Sequence, residues 1–391
     1  MNKEKEQTDS IESPDRVQVF HRPVIVAVII AWVVLFLSVL ALAQVSKERD
    51  VSPDDTKNSL VISEPFSLQN APATSIRIHS SVPLRVEDDG LAILDVGGLE
   101  QSFIQYPYRF PSLFEVGDAL MIVPRNGTEI MLVLPDLTTR ELSVEEVVQC
   151  GDYRDGYVLT LGLAANNIIH VSLYHLTQLA PLLKIPISEQ GRPIRVAFAK
   201  SGKCFDVLLV DFSEGKPVTR VQRFNFSGEL ISDRRFEDYG FLPAILQLNE
   251  EEQVLFSECE LVEVYLETGE TRLSRSFDQI MQTELRSSCL GIRAFDGGRI
   301  SLWFLRESPS RIDRELVEVE SEEELIDFAL SSDGVYALGV TENGLTLFDT
   351  MTGKLVAEQR DGLTGIIKVL TLTERDFLVL TEEEGAIVSI R

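Results

Sequence analysis

LIDFALSSDGVYALGVTENGLTLFDTMTGKLVAEQR, residues 325–360, decides the fold. It parses as four short strands, IDFALS, VYALGV, LTLFDT and KLVAEQ, separated by Ser-Asp-Gly, Glu-Asn-Gly and Thr-Gly turns. Gly334, Gly344 and Gly353 sit where tight hairpins need a positive φ, which only glycine adopts freely. Four antiparallel strands in about 36–42 residues make one blade of a propeller.

The third strand of this unit, with the turn after it, recurs along the chain. Asp95, Asp136, His175, Phe226, Glu267, Arg306, Thr350 and Arg391 mark it, at spacings of 41, 39, 51, 41, 39, 44 and 41. A sandwich does not keep such a period, so the expectation is an all-β, eight-bladed β-propeller over residues 59–391, with seven blades as the alternative if one unit is an insertion. The last unit stops after its third strand at Arg391, and Leu60–Leu68, LVISEPFSL, is a strand without a blade. It is expected to supply the missing outer strand and close the ring, since a ring must not leave an open edge.

Leu345–Gly353, LTLFDTMTG, resembles the third-strand ending of WD40 repeats, with Phe348 where those repeats carry Trp. Over roughly residues 60–391 the chain is similar to the WD40 and quinoprotein-like β-propeller superfamily, although the Gly-His pair of WD40 repeats is missing. The resemblance implies the fold and leaves the function open, because propellers host enzymes, receptors and scaffolds alike. Quinoprotein blades carry a tryptophan four residues after the Thr-Gly glycine. Here Leu273 and Ala357 stand there, and the only tryptophans are Trp32 and Trp303, so no quinone or other cofactor is implied.

Ahead of the repeats, Val24–Ala43 is an uncharged apolar run of 20 residues. At ~1.5 Å per residue it is as long as a bilayer core is thick, and it predicts one transmembrane helix. Residues 1–23 then form a disordered cytoplasmic tail and 44–58 a linker. Ala41-Leu42-Ala43 is a cleavage pattern, so removal as a signal peptide is the rival reading. Lys3, Lys5, Arg16 and Arg22 precede the span and Lys47, Arg49 and Lys57 follow it, a small bias that puts the tail in the cytoplasm and the propeller outside it.

Residues 44–391 hold 32 basic and 57 acidic side chains, a net charge of about −25. That balance repels phosphate backbones and anionic headgroups and argues against a nucleic-acid partner. Cys150, Cys204, Cys259 and Cys289 lack the short spacings of zinc or redox motifs, which leaves two disulfides or four thiols. His170 and His175, five apart in one strand, point to opposite faces, and His79 belongs to another blade, so no metal site is expected. No G-x-S-x-G or phosphate loop occurs. Glu87–Gly90 and Ser332–Gly334 fall where hairpin turns are required, and are read as turns rather than calcium loops.

Tyr106, Tyr108 and Phe110 alternate with Pro107 and Arg109, the densest aromatic segment of the soluble part. Aromatic anchors beside an arginine suit a protein interface, and packing between blades is the plain alternative. The sequence reading is therefore a single-pass, membrane-anchored scaffold that binds another protein outside the cytoplasm and catalyses nothing. The alternatives are an extracytoplasmic hydrolase or lyase with acids in its channel, and a membrane adaptor facing the cytoplasm.

Overall fold

The computed structural model describes residues 58–391, apart from 69–70, 109–110, 179, 188–190, 214, 267, 307–315, 320, 322 and 361. The membrane span expected at 24–43 and its tail lie outside these residues, as does the linker up to residue 57. Among the described residues no helix is long and apolar enough to cross a membrane.

Eight antiparallel sheets follow one another along the chain as an eight-bladed propeller. Blades 1 to 7 span residues 76–105, 112–143, 147–187, 192–236, 244–276, 279–318 and 327–359, and blade 8 begins at residue 368. The unit at 325–360 forms Asp327–Leu330, Tyr336–Thr341, Gly344–Asp349 and Leu355–Gln359. Its three glycines have φ of 73°, 150° and 69°. The long spacing of 51 comes from longer connections between strands, such as 199–203 between Phe198 and Cys204, because the middle strands of the fourth blade are no longer than those of the sixth. It hides no extra blade.

Strand composition follows position in the ring. Middle strands are covered by neighbouring blades on both faces and read as unbroken apolar runs, such as ALMIV at Ala119–Val123, buried throughout. Outer strands such as Thr139–Ser143 and Thr271–Ser276 meet water and are polar. The core is therefore a series of seams between blades. Leu84 and Leu91 of blade 1 pack with Leu120, Ile122, Met131 and Val133 of blade 2, and each fully buried side chain contributes about 1.5–3 kcal/mol.

The orphan strand closes the ring. Leu60 lies opposite Ile390, Val61 opposite Ser389 and Ile62 opposite Val388, and after a break Phe66 lies opposite Gly385. The eighth blade is thus built from both ends of the described chain.

The innermost strands run side by side in one direction. Asp327, first in its strand, accepts the N–H of Val369, second in the next, at 2.8 Å. Glu284, late in its strand, accepts the N–H of Leu330, last in the next, at 3.0 Å. All blades therefore share two faces. We call the end where the chain comes into each innermost strand the upper face; it also carries the hairpins between second and third strands. Ser59 exchanges backbone hydrogen bonds with Arg391 at the far end of a third strand, so the preceding chain joins the ring at the lower face.

Candidate functional site

Around the axis, a cavity of about 220 Å³ is lined by Arg77, Glu115, Glu284, Arg286, Asp327 and Lys368 among others. Three residues near the upper ends of successive innermost strands reach the next blade at the same relative position. Gln282 Nε2 donates to the carbonyl of Phe328 at 3.0 Å, Asp327 Oδ2 accepts from Val369 at 2.8 Å, and Lys368 Nζ donates to the carbonyl of Ile76 at 3.1 Å. These bonds bridge blades 6, 7, 8 and 1.

Burial pushes the carboxyls of Glu284 and Asp327 above the usual carboxylate range. Raised carboxyls in a channel are what acid catalysis needs. Here each is already an acceptor for the neighbouring blade: Glu284 also takes the Thr371 hydroxyl at 3.2 Å and stands 2.9 Å from Arg286 Nε. Asp152, likewise raised by burial, holds the N–H groups of Phe198 and Tyr153 at 2.7 and 2.8 Å. Burial, and then repulsion from Arg77, push Lys368 down. The recurring role of these charges is to satisfy backbone groups between blades.

On the upper face, Met281, Ile326 and Ile367 stand immediately before Gln282, Asp327 and Lys368, with exposures of 44, 39 and 45 %. They form an apolar collar over blades 6 to 8, with exposed Phe295 farther out in blade 6. Ile367 also belongs to a groove of about 820 Å³ at the closure seam. Ile62, Pro65, Leu363 and Ile367 give the groove its apolar lining, and Glu382, Glu383 and Glu384 its acidic side. The break between the two closing segments, at 63–65, helps to shape it. The sequence held a sign of the collar: Met-Gln, Ile-Asp and Ile-Lys recur at 281, 326 and 367, near the blade period.

The aromatic segment singled out above lies elsewhere. Tyr106 and Tyr108 are only 3 and 8 % exposed and pack in the seam between blades 1 and 2. The Tyr106 hydroxyl donates to the carbonyl of Glu87. Neither ring is on the surface to meet a partner, and Arg109 and Phe110 lie outside the described residues. His79 is buried with Nε2 2.9 Å from the Leu134 carbonyl. His170 Nδ1 lies 3.5 Å from Glu146, whereas His175 packs edge-on against Tyr157, so the structure does not bring the histidines together. Trp303 is core, set against Phe277 and under the Arg275 guanidinium. All four cysteines are unpaired thiols. Asp333 accepts from the Ser331 hydroxyl and the Val335 N–H, and Glu87 donates its N–H to the Gly90 carbonyl, so both acidic turns act as hairpin turns.

No protein-family model and no curated protein matches the chain. Solved structures do. The computationally designed Ika8 protein is 12 % identical with a TM-score of 0.55, covering 82 % of this chain and 97 % of its own. BamB from Moraxella catarrhalis is 10 % identical with a TM-score of 0.50, covering 84 and 99 %. The WD40 domain of SCAP from fission yeast is 11 % identical with a TM-score of 0.50, covering 87 and 96 %. At such identities a likeness carries the fold alone: the chain has the WD40 and quinoprotein-like β-propeller fold.

Proposed function

We propose that the chain is a membrane-tethered, non-catalytic propeller that holds another protein on its upper face. One observation carries this reading: the collar of Met281, Ile326 and Ile367, and the groove it joins, lie on the face opposite the one where the chain reaches Ser59. Exposed apolar side chains grouped around an opening mark a contact surface more often than singly scattered ones do. The tail of this anchor lies in the cytoplasm and the ring outside it, because Arg16 and Arg22 would otherwise have to cross the bilayer.

The reading is tested with photo-crosslinking residues placed singly at 326, at 367 and at lower-face position 96 in the full chain. A recurrent protein joined from 326 and 367 but not from 96 is expected; equal joining from all three would overturn it. Protease added to sealed vesicles of known orientation tests the topology, and digestion of the ring from the cytoplasmic side alone would reverse it.

The raised carboxyls of Glu284 and Asp327 favour a second reading, a hydrolase or lyase working in the channel. Their bonds to Leu330 and Val369 weigh against it, since turnover would have to release groups that join blades.

A further inference from the structure

We infer that the occupant of the upper face is an extended, basic segment of a partner protein, with apolar side chains alternating with lysine or arginine. The inference rests on the protein-binding reading and adds the chemistry of the ligand. Ile367 belongs to both groove and collar, so one apolar track runs from Ile62 and Leu363 across Ile367 and Ile326 to Met281. Exposed acids flank it throughout: Glu382, Glu383 and Glu384 at the groove, Glu342 in the hairpin of blade 7, and Glu324 and Asp278 in the connections leading into blades 7 and 6. Cations on this side of the same blades are already engaged. Arg293 donates to the Leu325 carbonyl, Arg299 pairs with Glu318, and Arg360 pairs with Glu358 and Glu323.

An extended chain turns successive side chains to opposite sides at ~3.3 Å per residue. Its apolar set can then lie on the track while its basic set reaches the acidic hairpins. A helix would present a broad face to a track that is bounded by hairpins. Anionic lipid and nucleic acid are repelled by the same carboxylates. Attraction between exposed charges fades beyond ~8 Å at physiological salt, so binding must weaken as salt rises.

The probe is a fluorescein-labelled decapeptide of alternating lysine and leucine, titrated by anisotropy against the full chain in zwitterionic nanodiscs, with empty nanodiscs as reference. Alternating lysine–serine and glutamate–leucine decapeptides serve as comparisons. Saturable binding is expected for lysine–leucine, with affinity at least tenfold lower for both comparison peptides. E382Q/E383Q/E384Q and I326S/I367S should each weaken lysine–leucine binding at least tenfold, and the lower-face changes V96S and E374Q less than twofold. Equal binding by all variants, or equal binding of lysine–serine, would overturn the inference as diffuse attraction to an acidic protein. A partner joined from 326 and 367 through an acidic or uncharged segment would also overturn it, yet leave the protein-binding reading standing. No joining at all removes that reading itself.

Discussion

Leu60 and Ile390 lie directly opposite each other in the eighth blade, so the two ends of the ring share one sheet. Leu60 is buried at 7 % and packs with Val388, Ile390 and residues of blade 7. Leu60→Ala should cost about 2–5 kcal/mol as a core truncation. Leu60→Asp adds a buried charge and should open the ring, which limited proteolysis would detect as early cleavage within the last blade. Unchanged protection in Leu60→Asp would mean that the ring holds without this strand.

Asp206 and Arg223 form a two-pronged pair at 2.7 and 2.6 Å, and Gln247 of the next blade donates to the same carboxylate at 2.6 Å. Asp206 is 1 % exposed, so removing it strands a guanidinium in the interior. Asp206→Ala should lose about 3–5 kcal/mol in urea unfolding. The double change Asp206→Ala/Arg223→Ala should lose less than the sum of the two single changes, and strict additivity would show that the pair is not coupled.

Glu284 has its carboxyl raised by burial, and the sign of its effect on stability follows. Between the ordinary glutamate value and the raised one, the folded protein holds a proton that the unfolded chain has lost. This contribution is therefore complete below the ordinary value and is lost as pH climbs through the raised one. Glu284→Gln removes the titration. The thermal midpoint of Glu284→Gln minus that of the parent should become more positive between about pH 4 and about pH 8. A flat difference would mean that burial does not perturb this carboxyl.

Gly353 lies in the turn between the third and fourth strands of blade 7 with φ of 69°, and a Cβ there would come within 2.7 Å of the Glu318 carbonyl oxygen in blade 6. Gly353→Ala combines backbone strain of about 1–3 kcal/mol with a clash against backbone. A measurable fall in thermal midpoint is expected, and an unchanged midpoint would show that blades 6 and 7 can move apart freely.

Among the thiols, Cys259 is exposed in the upper-face hairpin of blade 5. Cys289 is buried and pushed up to about 11, and burial also raises Cys150 and Cys204. Maleimide at neutral pH should therefore label one site quickly in the native protein, and Cys259→Ser should abolish that fast phase. Mass spectrometry of the labelled peptide checks the position.

The blades were legible in the sequence because each needs glycines at fixed turns and unbroken apolar middle strands. Leu325–Arg360 shows both, and the missing last strand pointed to Leu60–Leu68. The apolar collar was harder to see. Met281, Ile326 and Ile367 are single apolar residues among many, and only the parallel run of innermost strands sets them side by side. Tyr106 and Tyr108 were hard to place for the opposite reason. Their rings look like surface anchors in an extended segment, yet both turn into the seam, where large apolar groups are needed. The channel acids Glu284 and Asp327 carry no local signature, because their partners are backbone groups one blade away.

The closing strand also sets the order of events during synthesis. Leu60–Ile62 is made before every blade, and its partners Val388–Ile390 are made after the first seven. Seven blades can pair internally as they emerge, but the first-made strand waits with its edge bare until the third strand of the eighth blade has been made. A bare edge of that kind invites pairing with other chains, and the delay lengthens with every residue between the two halves. The newborn ring is thus most vulnerable just before its eighth blade is made, and any helper that shields Leu60–Ile62 would act then.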